Sequence, residues 1–118
     1  MVKVAVAQMC PGLDKQENLK KIIQLIDQAV NEAKNLDVIV FPEFCYSSLA
    51  EVKNSPETAE CIPGPYTEGI AEYAKKHRIN ILAGSFVEKA KDGRHQNTCL
   101  FFNRNGEIIG QYRKIHLT

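Results

Sequence analysis

At 118 residues, 44% hydrophobic and 25% charged, the chain can bury one core but not two. It lacks the low hydrophobicity and high net charge of a disordered segment. Its 15 basic and 14 acidic residues leave a formal net charge of +1, and they are interspersed, so no basic stripe points to nucleic acid or an anionic membrane.

The first predicted element is Val2 to Met9 (VKVAVAQM). Valines alternate there with Lys3, Ala5 and Ala7, which predicts a strand buried on both faces of an α/β layer. No signal-peptide core is present, and no apolar run reaches membrane-spanning length. Pro11 and Gly12 break the strand, and Asp14 with Glu17 has the spacing of a capping box. Leu19, Ile22, Ile23, Ile26, Ala29, Val30 and Ala33 then recur every three or four residues, the apolar stripe of a helix. Asp37 to Phe41 (DVIVF) is a short β-branched run that ends at Pro42 and reads as a central strand.

Residues 42–65, with four prolines, read as a long loop with one helical turn. A second helix is expected over Tyr66 to His77, and a third strand over Ile79 to Gly84. Strands over Phe86 to Lys89, Thr98 to Phe102 and Ile108 to Arg113 follow. The Asp92-Gly93 and Asn105-Gly106 pairs join them as hairpins. The fold class is therefore α/β, a βαβαβ unit followed by an antiparallel meander, with parallel strands in the first part.

Charged residues at strand ends are the places to look for chemistry, because α/β sheets bind ligands beyond the carboxyl ends of their strands. Glu43 follows the strand that ends at Phe41, and Lys114 closes the strand that ends at Arg113. A carboxylate at such a mouth loses water, which raises its pKa towards the range of a general base. A lysine there supplies positive charge for an oxyanion. Taken singly, either residue is also what a solvated strand end looks like.

The stretches Val4 to Met9, Phe41-Pro42-Glu43, Gly64-Pro65, Ala83-Gly84-Ser85, Asn97-Thr98 and Tyr112 to Leu117, in this order and spacing, resemble the nitrilase superfamily of carbon–nitrogen hydrolases. The resemblance implies that residues 1–118 are the N-terminal part of a single αββα four-layer sandwich domain. It implies cleavage of a non-peptide amide or nitrile bond by a Glu–Lys–Cys triad through a thioester, with Glu43 as base and Lys114 as oxyanion stabiliser. No metal or organic cofactor is required. In that family the nucleophilic cysteine lies a few dozen residues beyond the position of Lys114. The chain is thus expected to stop before it and to be inactive alone.

Cys45 is tempting because it lies two residues after Glu43, but a neighbouring carboxylate disfavours a thiolate. It is read as a packing or lining residue. Cys10 could line the same pocket, Cys99 reads as core, and Cys61 is uninformative. None of the four forms a CxxC pair, and reduced thiols in a cytoplasmic protein are expected. His116 reads as a structural histidine bonded to a backbone group, His77 as a helix-dipole partner and His95 as a solvated turn residue. Tyr46 and Tyr66 read as core or rim.

A small amide or nitrile is the expected partner. Homo-oligomerisation or pairing with a complementary C-terminal half would cover an otherwise bare sheet face. The alternative is a non-catalytic binding or assembly module that keeps the half-fold. A glutaminase domain fused to a synthetase is a further possibility, but no phosphate-cradling glycine loop occurs here.

Overall fold

The computed structural model describes residues 1–116; the predicted motif residue Leu117 lies outside them. Five strands form one mixed sheet in the order β1 to β5: β1 (Val4–Val6), β2 (Val38–Val40), β3 (Asn80–Lys89), β4 (His95–Phe102) and β5 (Ile108–Arg113). β1, β2 and β3 are parallel, whereas β4 and β5 run antiparallel to their predecessors. The crossovers carry α1 (Lys15–Glu32) and α3 (Pro65–His77), as the βαβαβ reading requires.

α1 starts where Asp14 accepts the backbone N–H groups of Gln16 and Glu17. The cap is only half of the predicted box, because the Glu17 carboxylate takes the Lys20 ammonium instead of reaching back. Ile22 and Ile26 of α1, with Tyr66, Ile70 and Ala74 of α3, pack against Ile39, Ile81, Phe86, Leu100 and Phe102 of the sheet. One sheet face thereby receives both helices.

The opposite face differs from the expectation that β1 is buried on both sides. Ala5 and Ala7 pack against the core, but Val4 and Val6 are 55% and 79% exposed. Both crossovers place their helices on the same side, so no described element covers the valines.

The loop predicted between residues 42 and 65 contains a short helix, α2 (Leu49–Asn54), and a 3₁₀ turn (Pro56–Thr58). Ser48 and Glu51 form a reciprocal capping box on α2. The loop is anchored by side chains that the sequence reading passed over. Fully buried Asn18 of α1 donates to the Tyr46 carbonyl and bonds both backbone groups of Gly12. Buried Glu60 accepts from Lys15 Nζ at 2.8 Å, from the Tyr66 backbone N–H at 2.9 Å and from the Tyr46 hydroxyl. Tyr46 and Tyr66 stack at 4.3 Å in the core, as the core reading of these two residues expected.

The third and fourth predicted strands are one strand, β3, bent by a register shift between Leu82 and Ser85. Gly84 sits in that bulge with φ 61°. The next two hairpins turn at the predicted positions. At Gly106, φ is 78°, and an added Cβ would lie 2.5 Å from the Ala71 carbonyl oxygen, so the turn also seats the β4–β5 hairpin against α3.

Candidate functional site

β2 ends at Val40, and the chain then crosses the bulge of β3. Phe41 N–H donates to the Leu82 carbonyl, Ser85 N–H to the Pro42 carbonyl, and Phe44 N–H to Ser85 Oγ. Phe44 adopts φ 53°, a left-handed conformation that is costly for an aromatic residue. These contacts hold the one-residue step that projects Glu43. On the other side, Lys114 N–H donates to the Asn97 carbonyl at 2.9 Å and extends the β4–β5 ladder past Arg113.

The two sequence-predicted residues meet. Lys114 Nζ lies 3.0 Å from Glu43 Oε1, across 71 residues of chain. Asn97 Nδ2 donates to the same oxygen at 2.7 Å. The pair stands at the mouth of a depression of about 340 Å³ walled by Phe41, Cys99 and Tyr112. That volume falls within the usual range for small-molecule sites. No group of three or more His, Cys, Asp or Glu among the described residues could hold a metal ion.

Glu43 departs from the expected electrostatics. Its pKa is lowered, first by the Lys114 hydrogen bond and then by that from Asn97, against a smaller opposing effect of burial. The reason is geometric: its side chain is 51% exposed, so desolvation is weak and the two donors dominate. The carboxylate is therefore ionised at neutral pH.

The cysteines separate clearly. Cys45 is fully buried, its Sγ 3.5 Å from the Tyr66 hydroxyl, and burial pushes its thiol up to about 11. That environment suits packing rather than nucleophilic attack. Cys10 and Cys61 are exposed, and neither lines the depression at Glu43. Cys99, read from sequence as core, instead walls that depression and is only half-buried. Burial raises its pKa, which makes it a poor nucleophile as placed. Ellman's reagent should modify Cys10 and Cys61 of the native protein rapidly. Cys45 should react only at the rate of unfolding, which peptide mass mapping would report. Rapid labelling of Cys45 would contradict its burial.

His116 is exposed and makes no hydrogen bond among the described residues, unlike the anchoring histidine expected. His95 opens β4 and is half-buried rather than solvated in a turn. His77, in the last turn of α3, pairs with Asp27 of α1 at 2.7 Å. The sequence reading missed Asn97 and Cys99 as site residues, although strand alternation held the signal. Cys99 pairs with Tyr112 across the hairpin, and residues two apart share a face.

The model of the carbon-nitrogen hydrolase family matches residues 3–118. The omega-amidase NIT2 of Xenopus tropicalis is 35% identical over 115 residues, covering 98% of this chain and 40% of that protein. The nitrilase homolog 2 of Dictyostelium discoideum is 34% identical over 116 residues, covering 98% of this chain and 34% of its own. Among solved structures, Saccharomyces cerevisiae Nit3, a member of branch 10 of the nitrilase superfamily, superposes with a TM-score of 0.86. It is 27% identical over 98% of this chain and 44% of that one. The chain thus spans well under half the length of the relatives it matches, and its α/β fold is that of the nitrilase superfamily.

Proposed function

Because the chain belongs to the carbon–nitrogen hydrolase family, we propose that residues 1–118 supply the Glu43 and Lys114 members of an amide-cleaving triad, as the N-terminal part of one catalytic domain. The observation that carries this reading is the contact between Glu43 and Lys114 at the edge of a ligand-sized depression. Two charged strand-end residues, far apart in sequence, converge there on one another.

In this reading the nucleophile is a cysteine beyond residue 118, since none of the four thiols here is both reactive and aimed at the pair. Glu43 accepts the thiol proton, and sulfur attacks the amide carbon. Lys114 stabilises the oxyanion, the C–N bond breaks and ammonia leaves with a proton. Water then hydrolyses the thioester and returns the thiol. The chain alone is expected to be inactive.

The similar omega-amidases favour an amide over a nitrile and, by their name, a terminal carboxamide. A cytoplasmic enzyme working on a small amide is the setting proposed. The exposed Val4 and Val6 support coverage of that sheet face by the rest of the domain or by another copy.

The test is to incubate the full-length protein with succinamate, a small terminal amide, and with simple aliphatic amides and nitriles, while following ammonia release. Ammonia from succinamate is expected. Ammonia from none of these compounds would favour the non-catalytic binding module.

A further inference from the structure

We propose that Asn97 is the positioning residue of the Glu43–Lys114 pair, orienting the carboxylate with its side chain and the lysine with its main chain; the proposal rests on the roles assigned to those two residues above. Asn97 lies in β4 and is 3% exposed. Its Nδ2 donates to Glu43 Oε1 at 2.7 Å, while its carbonyl accepts the Lys114 N–H at 2.9 Å. One buried residue thus touches both members of the pair.

The other end of the amide carries the second observation. Asn97 Oδ1 is buried and has no hydrogen-bond partner among the described residues. A buried acceptor left unpaired weakens a fold, and an apolar side chain of similar size would avoid that penalty. Rotating the amide by half a turn would point its oxygen at an ionised carboxylate, which is repulsive. The orientation, and the presence of an amide at all, are accounted for by donation to Glu43.

Both donors, Asn97 and Lys114, take Oε1, so among the described residues Oε2 is the oxygen left to accept a proton. Lys114 could hold the carboxylate only loosely, because its four-carbon stem is flexible and its side chain is 38% exposed. The short, buried Asn97 side chain supplies direction.

The other titratable groups at this depression are Cys99 of β4, Tyr112 of β5 and Lys114 just past its end, while β3 contributes only Gly84 and Ser85. Glu88 and Arg113 pair with each other on the opposite face of the sheet. The lowered pKa of Glu43, caused by Lys114 first and Asn97 second, agrees with this arrangement.

The experiment is a ¹³C NMR titration of the Glu43 carboxyl in the full-length protein, run on wild type, Asn97→Leu and Asn97→Asp, with thermal unfolding of each. Asn97→Leu should raise the Glu43 pKa by roughly half to one unit and leave Tm unchanged or higher. The acid limb of kcat/KM should move upward with it. Asn97→Asp, which sets a second carboxylate beside the first, should shift the titration further in the same direction. An unchanged Glu43 titration in the folded variants would overturn the proposal. So would collapse of the fold in Asn97→Leu, which would make Asn97 a structural anchor. The catalytic reading fails separately: if Glu43→Gln retained amide turnover, Glu43 would leave the reaction while the effect of Asn97 on its titration stood.

Discussion

Glu43→Gln in the full-length protein should cut amide turnover by about 10²- to 10⁴-fold, the usual contribution of a general base, without disturbing the fold. Glutamine keeps the side-chain length and still offers an oxygen to Asn97 Nδ2, the donor 2.7 Å away in the native site. What it loses is basicity, together with the ion pair to Lys114. That pair is half-exposed on both sides, 38% and 51%, so its loss costs at most about 1 kcal/mol of stability. Lys114→Ala should reduce turnover by about 10²- to 10³-fold through loss of oxyanion stabilisation. Ammonia release beside thermal melts separates chemistry from folding. Native-like turnover in either variant would remove that residue from the mechanism.

Gly84→Ala is expected to have the largest effect on the fold. The residue adopts φ 61°, and an added Cβ would lie 2.1 Å from the Pro42 carbonyl oxygen and 2.8 Å from Cys45 Sγ. A left-handed conformation costs an L-residue about 1–2 kcal/mol, and overpacking adds about 1–3 kcal/mol. The sum, about 2–5 kcal/mol, is a large share of the 5–15 kcal/mol typical of a folded domain. The strain falls on the Phe41 to Phe44 segment, which is hydrogen-bonded to Leu82 and Ser85 on either side of Gly84 and carries Glu43. Activity should therefore fall along with stability. Urea unfolding is the measurement: a midpoint unchanged from wild type would mean that the bulge and the Pro42 segment can separate without penalty.

The elements whose causes are local were legible in the chain. The stripe of Ile22 and Ile26 behind an Asp14 cap yields α1, because helical periodicity and capping act within a few residues. The β4–β5 hairpin follows from Asn105-Gly106 for the same reason. Glu43 and Lys114 were legible as strand-end charges, and the order of motifs around them pointed to a family. Their mutual contact was a consequence of that reading rather than of spacing. The bend that joins the third and fourth predicted strands was hidden, because Gly84 reads equally well as a stop or a bulge until its neighbour across the sheet is known.

By itself, then, the sequence determined the alternation of strands with the two long helices, the hairpin turns, the family and the two charges on which the chemistry is proposed to turn. Tertiary structure decided the rest. It placed Asn97 54 residues from Glu43 along the chain but within a hydrogen bond of it, moved Cys99 from the core to the wall of the site, and buried Glu60 between Lys15 and two tyrosines. It also reversed the expected shift of the Glu43 pKa. A pKa depends on how much water and which donors surround a group, and those neighbours arrive through strand pairing over long sequence separations. Local propensity encodes where an element begins and turns; it carries no record of which side chain will stand opposite when the sheet closes.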